Sequence, residues 1–126
     1  MQKKIKPLLP SLRERKRYLA FEIISEQPLE DFNAVSKAII DKALDQLGVL
    51  GCAEAGIMIL SDKYDKEKQR GLMRVSNRSL DKVRGTLALI DQIDNHRVIV
   101  RSRGVSGILQ KAESKYVQSP HGALAS

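Results

Sequence analysis

Residues 70–90, RGLMRVSNRSLDKVRGTLALI, change their hydrophobic period part-way along. Arg70 to Ser76 is a short run with Leu72, Met73 and Val75, bounded by polar residues, and reads as a strand. From Leu80 onward the apolar residues Leu80, Val83, Leu87 and Ile90 recur at helical spacing, and Asn77 or Ser79 supplies the N-cap. A strand that hands over to an amphipathic helix within 21 residues is one half of an α/β alternation. That helix is expected to end near Asp94 and Asn95.

Working outward toward the N-terminus, the polar connection 62–68 separates this strand from a second apolar run, Leu50 to Leu60, predicting an antiparallel hairpin. Before it, Pro28, Glu30 and Asp31 mark a helix start, because proline suits a first turn and carboxylates favour the positive end of the helix dipole. Phe32, Val35, Ile39, Ala43 and Leu47 form its buried stripe, and Gly48 sits where a left-handed C-cap is wanted. Arg17 to Ser25 alternates, with Leu19, Phe21 and Ile23 on one face, and predicts the first strand.

Toward the C-terminus, Arg97 to Arg103 alternates again, with Val98 and Val100 on one side and Ile99, Arg101 and Arg103 on the other. Gly104 follows, then Val105, Ile108, Leu109, Ala112 and Tyr116 at helical spacing. The resulting order, βαββαβ plus one helix, predicts an α+β fold of the ferredoxin-like class: a four-stranded antiparallel sheet with helices packed on one face. Residues 1–16 read as a basic arm, 17–117 as the single domain, and 118–126 as a disordered tail.

Charge is segregated along the chain. Residues 1–20 carry seven Lys/Arg against Glu14, a net of +6, and residues 21–67 carry four Lys against ten Asp/Glu, a net of −6. Residues 68–84 return to +5, 85–96 fall to −2, and 97–115 rise to +4, within an overall +7. Such sorting predicts a cationic surface, and the commonest partner of one is a polyphosphate backbone. A lone Cys52 forms no internal disulfide, and with only His96 and His121 there is no zinc-ligand cluster. No apolar run approaches a bilayer span and no signal peptide is recognisable, so the chain reads as cytoplasmic, with no membrane partner.

Enzyme constellations are missing from the pattern: neither histidine pairs with a nucleophile, and no helix carries paired carboxylates. An acylphosphatase-like reading needs an Arg-bearing, Gly-rich loop after the first strand, where this chain has Ser25-Glu26-Gln27-Pro28. In RNA-recognition motifs the third strand supplies stacking aromatics, and here Leu72, Met73 and Ser76 hold those places, so contacts to RNA backbone and shape are expected. The candidate phosphate contacts are Arg13, Arg15, Lys16, Arg17, Arg70, Arg74, Arg78, Arg84, Arg101 and Arg103, chosen because the guanidinium fork matches phosphate oxygens. The turn containing Gly104, Ser106 and Gly107 reads either as a phosphate cradle at a helix start or as an ordinary glycine turn. The stripe Val105, Ile108, Leu109 and Tyr116 reads either as core or as a protein-partner surface.

Three stretches carry a resemblance: RERKRYLAFEI at 13–23, RGLMRVSNRSLDKVRGTLALI at 70–90, and RVIVRSRGVSGILQKAESKYV at 97–117. The chain resembles the archaeal ribonuclease P protein component 2 family, relatives of the eukaryotic Pop-five subunit, over most of residues 13–117. The resemblance implies a non-catalytic subunit of a ribonucleoprotein endonuclease whose RNA removes the 5′ leader of precursor tRNA. It further implies ribonuclease P RNA, precursor tRNA and protein component 3 as partners, no cofactor on the protein, and Mg²⁺ on the RNA. Self-association is left open. A ferredoxin-like scaffold or regulatory module binding an acidic protein or a small phosphorylated ligand is the alternative.

Overall fold

A computed structural model describes residues 15–118; most of the basic arm, Arg13 included, and tail residues 119–126 lie outside the described residues. In chain order the elements are β1 (Lys16–Ser25), α1 (Phe32–Ala55), β2 (Met58–Ile59), β3 (Arg70–Ser76), α2 (Leu80–Ala88), β4 (Gln92–Ile93), β5 (His96–Ser106) and α3 (Leu109–Ala112), which continues as a π-helical turn, Glu113–Val117. The described sheet has five strands, not four, in the order β2-β3-β1-β5-β4, with every neighbour antiparallel.

The additional strand comes from the segment expected to end the second helix. That helix stops at Ala88, and Gln92–Ile93 folds back on β5 through Asp94 (φ 52°) and Asn95 (φ 67°). Two successive left-handed residues are what a tight hairpin turn requires, and Asp and Asn tolerate that region better than most.

Another difference lies at Gly48. Its φ of 75° breaks the helical path, but the chain resumes a helix as far as Ala55, where Gly56 (φ 59°) is the left-handed cap and donates its N–H to the Cys52 carbonyl at 3.0 Å. The apolar run expected as a strand is therefore mostly helix, leaving Met58–Ile59 to pair with Arg74 and Met73. Val49 and Leu50, at 74 % and 85 % exposed, face water. Asp31 caps the start of α1, accepting from the Asn33 N–H at 2.9 Å.

Two apolar clusters sandwich the sheet. Leu19, Phe21, Ile23, Met73, Val75, Val98 and Val100 pack against Val35, Ile39, Val83 and Leu87 of α1 and α2. Ala20 and Leu72, on the opposite face, meet Ala112 and Val117 of the C-terminal helix. This double coverage explains why β1 is buried continuously from Leu19 to Ile23 where alternation would expose every second residue. Helices thus occupy both faces of the sheet.

β5 carries a bulge. Ala20 pairs with Gly104 and Phe21 with Ser102, so the ladder skips Arg103. Beyond it the Tyr116 ring lies over Gly104 so closely that a Cβ there would sit 2.3 Å from Cε1. Only glycine lets the C-terminal helix approach β5 at this depth.

Candidate nucleic-acid interface

The sheet face beneath α3 carries the residues on which the charge argument turns. β1 contributes Tyr18, Ala20 and Glu22, and their register partners on β3 are Arg74, Leu72 and Arg70. β5 adds Arg101 opposite Glu22, and the bulge directs Arg103 to the same face, where it meets Glu22.

At one end of this face three guanidiniums surround one carboxylate. Glu22 Oε2 accepts from Arg70 Nε at 3.2 Å. Its Oε1 accepts from Arg101 Nε and Nη2 at 3.0 and 2.9 Å and from Arg103 Nη1 at 3.3 Å. The backbone of the C-terminal helix supplies further acceptors, since Arg103 Nε donates to the Tyr116 carbonyl at 2.6 Å and Arg70 Nη1 to that of Val117 at 3.3 Å. Cations at a helix C-terminus also meet the negative end of its dipole. Lys63, paired with Glu113 at 3.3 Å, and Lys68, donating to the Gln118 carbonyl at 2.7 Å, tether the same segment from the loop before β3.

Burial alone would raise the Glu22 carboxyl, but hydrogen bonds from Arg101 and Arg70 and their positive charge outweigh it and hold the group below the ordinary 4.5. Burial lowers Arg103, as does the neighbouring Arg70 charge, while Glu22 opposes both. An ion cluster this enclosed binds the helix to the sheet at a desolvation cost, and its members are committed to one another.

This placement corrects part of the expected contact set. Arg70 is fully buried and Arg103 is 8 % exposed, because each is consumed by Glu22 and a helix carbonyl, so neither presents a fork to an external phosphate. Arg101 keeps 45 % of its side chain in solvent while holding Glu22. The phosphate cradle does not form. Residues 103–106 are strand, Gly104 lies beneath Tyr116, and Ser106 Oγ already accepts from the Ile108 N–H at 3.1 Å. The partner stripe is largely spent as well: Val105 packs on the main core, and Leu109 and Tyr116 on the second, which leaves Ile108 outward at 52 %.

At the other end of the sheet the cations have fewer attachments. The Arg15 carbonyl accepts from the Asn77 N–H at 2.7 Å, and Arg17 Nε donates to Asn77 Oδ1 at 3.1 Å. Arg17 Nη1 also lies beside Gly107, 2.6 Å from where a Cβ would stand. Lys16 pairs with Ser76 and Tyr18 with Arg74 in the ladder, and Arg78 follows, exposed, on the 3₁₀ turn Asn77–Ser79. The structure thus gathers Arg15, Lys16, Arg17, Arg74 and Arg78 at one sheet end. Arg84 is exposed on α2, in the helix layer on the opposite face, and does not join them.

Sequence reasoning missed Glu22, Tyr18, Ser76 and Asn77. Glu22 had a signal: a carboxylate between Phe21 and Ile23 in an otherwise apolar strand needs a cationic partner across the sheet. Among the described residues no group of His, Cys, Asp or Glu could hold a metal ion.

The model of the Rpp14/Pop5 family matches residues 17–117. The chain belongs to the Rpp14/Pop5 family. Similar proteins named ribonuclease P protein component 2 include those of Thermococcus gammatolerans, 37 % identical over 93 % of this chain and 95 % of that protein, and Archaeoglobus fulgidus, 37 % identical over 90 % and 99 %. The Thermococcus kodakarensis protein is 34 % identical over 93 % and 95 %. The resemblance read from the three Arg-bearing stretches is therefore borne out, and in this Rpp14/Pop5 protein those stretches are the central strands β1, β3 and β5 with the helices that follow β3 and β5. No helix among its described residues is long and apolar enough to cross a membrane.

Proposed function

We propose that this chain is an RNA-binding protein subunit of ribonuclease P that assists a catalytic RNA in removing the 5′ leader of precursor tRNA. The observation that carries the reading is the sheet end where Arg15, Lys16, Arg17, Arg74 and Arg78 converge without a carboxylate paired to any of them among the described residues. Family membership supplies the assembly. The protein's part is electrostatic: cations placed between RNA segments relieve their repulsion and favour the Mg²⁺-dependent fold of the RNA, leaving bond cleavage to RNA and metal. Protein component 3 is the proposed protein partner, and the isolated chain is proposed to be inactive.

Reconstitution of precursor tRNA cleavage from the catalytic RNA, component 3 and this chain tests the reading. Adding the chain should lower the Mg²⁺ needed for cleavage; an unchanged requirement refutes it. With about five phosphate contacts, log K should fall against log salt at a slope of about −4. In the alternative reading, binding of a small phosphorylated ligand at the 104–107 turn would favour a scaffold or regulatory module; there Tyr116 lies over Gly104 and Ser106 Oγ accepts from the Ile108 N–H.

A further inference from the structure

The two ends of the α3-side sheet face treat their arginines differently. Around Glu22 the guanidinium groups meet a carboxylate or helix carbonyls. Four residues along β3, the Arg74 side chain makes no hydrogen bond or ion pair among the described residues, and its Nε is buried with nothing to accept from it. Ser76, the next residue of β3 on the same face, is fully buried, and its hydroxyl also has no partner. Two adjacent polar groups buried in the same strand face without partners are rare in a folded protein and point to an acceptor supplied from outside.

The surroundings define that acceptor. Lys16 stands directly across from Ser76 and is exposed, and Tyr18 stands across from Arg74. Glu22, the carboxylate that satisfies Arg70, lies four residues further along β1, about 13 Å away at strand rise. A guanidinium and a hydroxyl follow one another on this face where position 18 offers an aromatic ring in place of a carboxylate, and the Lys16 ammonium stands beside Gly56, 3.2 Å from where a Cβ would be. A backbone phosphodiester presents two non-bridging oxygens that share a negative charge, so one can take the guanidinium of Arg74 and the other the hydroxyl.

We propose that Arg74 and Ser76, with Lys16 across the strand pair, form a seat for one backbone phosphate of RNA. The proposal rests on the reading of this chain as an RNA-binding subunit and deepens it from a diffuse basic surface to a positioned contact.

The test uses the full chain and ribonuclease P RNA carrying randomly ethylated phosphates. The unmodified protein should show interference at a set of phosphates, and Arg74→Met should lose one of them, weaken binding about tenfold and flatten the salt slope by about 1. Arg74→Lys should keep the slope and lose part of the affinity, because charge remains but the fork does not. Ser76→Ala should weaken binding a few-fold with the slope intact. Because the Arg74 side chain has no partner among the described residues, Arg74→Met should melt at or above the temperature of the parent. Melting several degrees lower would make Arg74 a structural residue and overturn the assignment. RNA binding with an unchanged slope and interference pattern in Arg74→Met overturns the seat but leaves the RNA-binding reading standing; no RNA binding by the parent overturns both. Polyglutamate that binds the parent and not Arg74→Met, with no phosphate interference, assigns the seat to an acidic protein and refutes the proposal.

Discussion

Glu22 is the residue on which the C-terminal helix depends most. Its replacement by Ala would leave Arg70 and Arg103 buried with their shared carboxylate gone, and removing one partner of a buried ion pair costs about 3–5 kcal/mol. We expect Glu22→Ala to lower the thermal midpoint steeply, and pairing it with Arg70→Met to recover part of the loss, a coupling that a double-mutant cycle measures directly. The carboxyl is held below its ordinary 4.5, so the unfolded chain binds the proton more readily as pH falls. Stability from this group is present above about pH 4.5 and is lost as pH drops through the lower folded value; a melting series from pH 7 downward should show the fall, and Glu22→Gln should lack that component. The sequence signals that Glu22 needs a cation but not which one, because its partners lie 48 and 81 residues away and only the register of three strands reveals which arginines it consumes.

At the scale of elements, α1 shows why a glycine is ambiguous in sequence. Gly48 was read as the end of a helix and does break it, but the helix resumes as far as Ala55, which is buried in the core, and Gly56 is the true cap. β1 was legible from Leu19, Phe21 and Ile23 at a spacing of two, β3 from an apolar run between polar residues, and α2 from Leu80, Val83 and Leu87 at helical spacing. β4 was not, since two residues carry no period. The contact between α3 and β5 yields a prediction of its own. Gly104→Ala drives a methyl into the Tyr116 ring and should cost about 1–3 kcal/mol, whereas in a Tyr116→Ala background the same change should cost much less. Hydrogen exchange of amides 109–117 is the measurement, and the Gly104→Ala variant should exchange faster there than at β1.

Across the whole molecule, charge is unevenly placed. Asp41 and Asp45 of α1 share a groove with Asp91, Asp94, Lys37 and Lys42 on the helix side of the sheet, while Arg74 stands on the other face and the remaining clustered cations gather at that sheet end. A body polarised in this way turns as it approaches a polyanion, so association with RNA should slow as salt rises. Neutralising Asp41 and Asp45 together should leave the salt slope of RNA binding unchanged, because neither touches the cationic end; stopped-flow binding at several ionic strengths checks both statements.

The extra residue in β5 has a consequence for how the chain finishes. Inserting Arg103 between two ladder positions lets successive residues serve the same side: one reaches for a carboxylate, and the next leaves an empty space for an aromatic ring. Excising that single residue would keep the strand's length nearly intact yet strip away the guanidinium that grips the Tyr116 carbonyl. The closing segment would then lose a clasp that no point substitution elsewhere in the strand can restore.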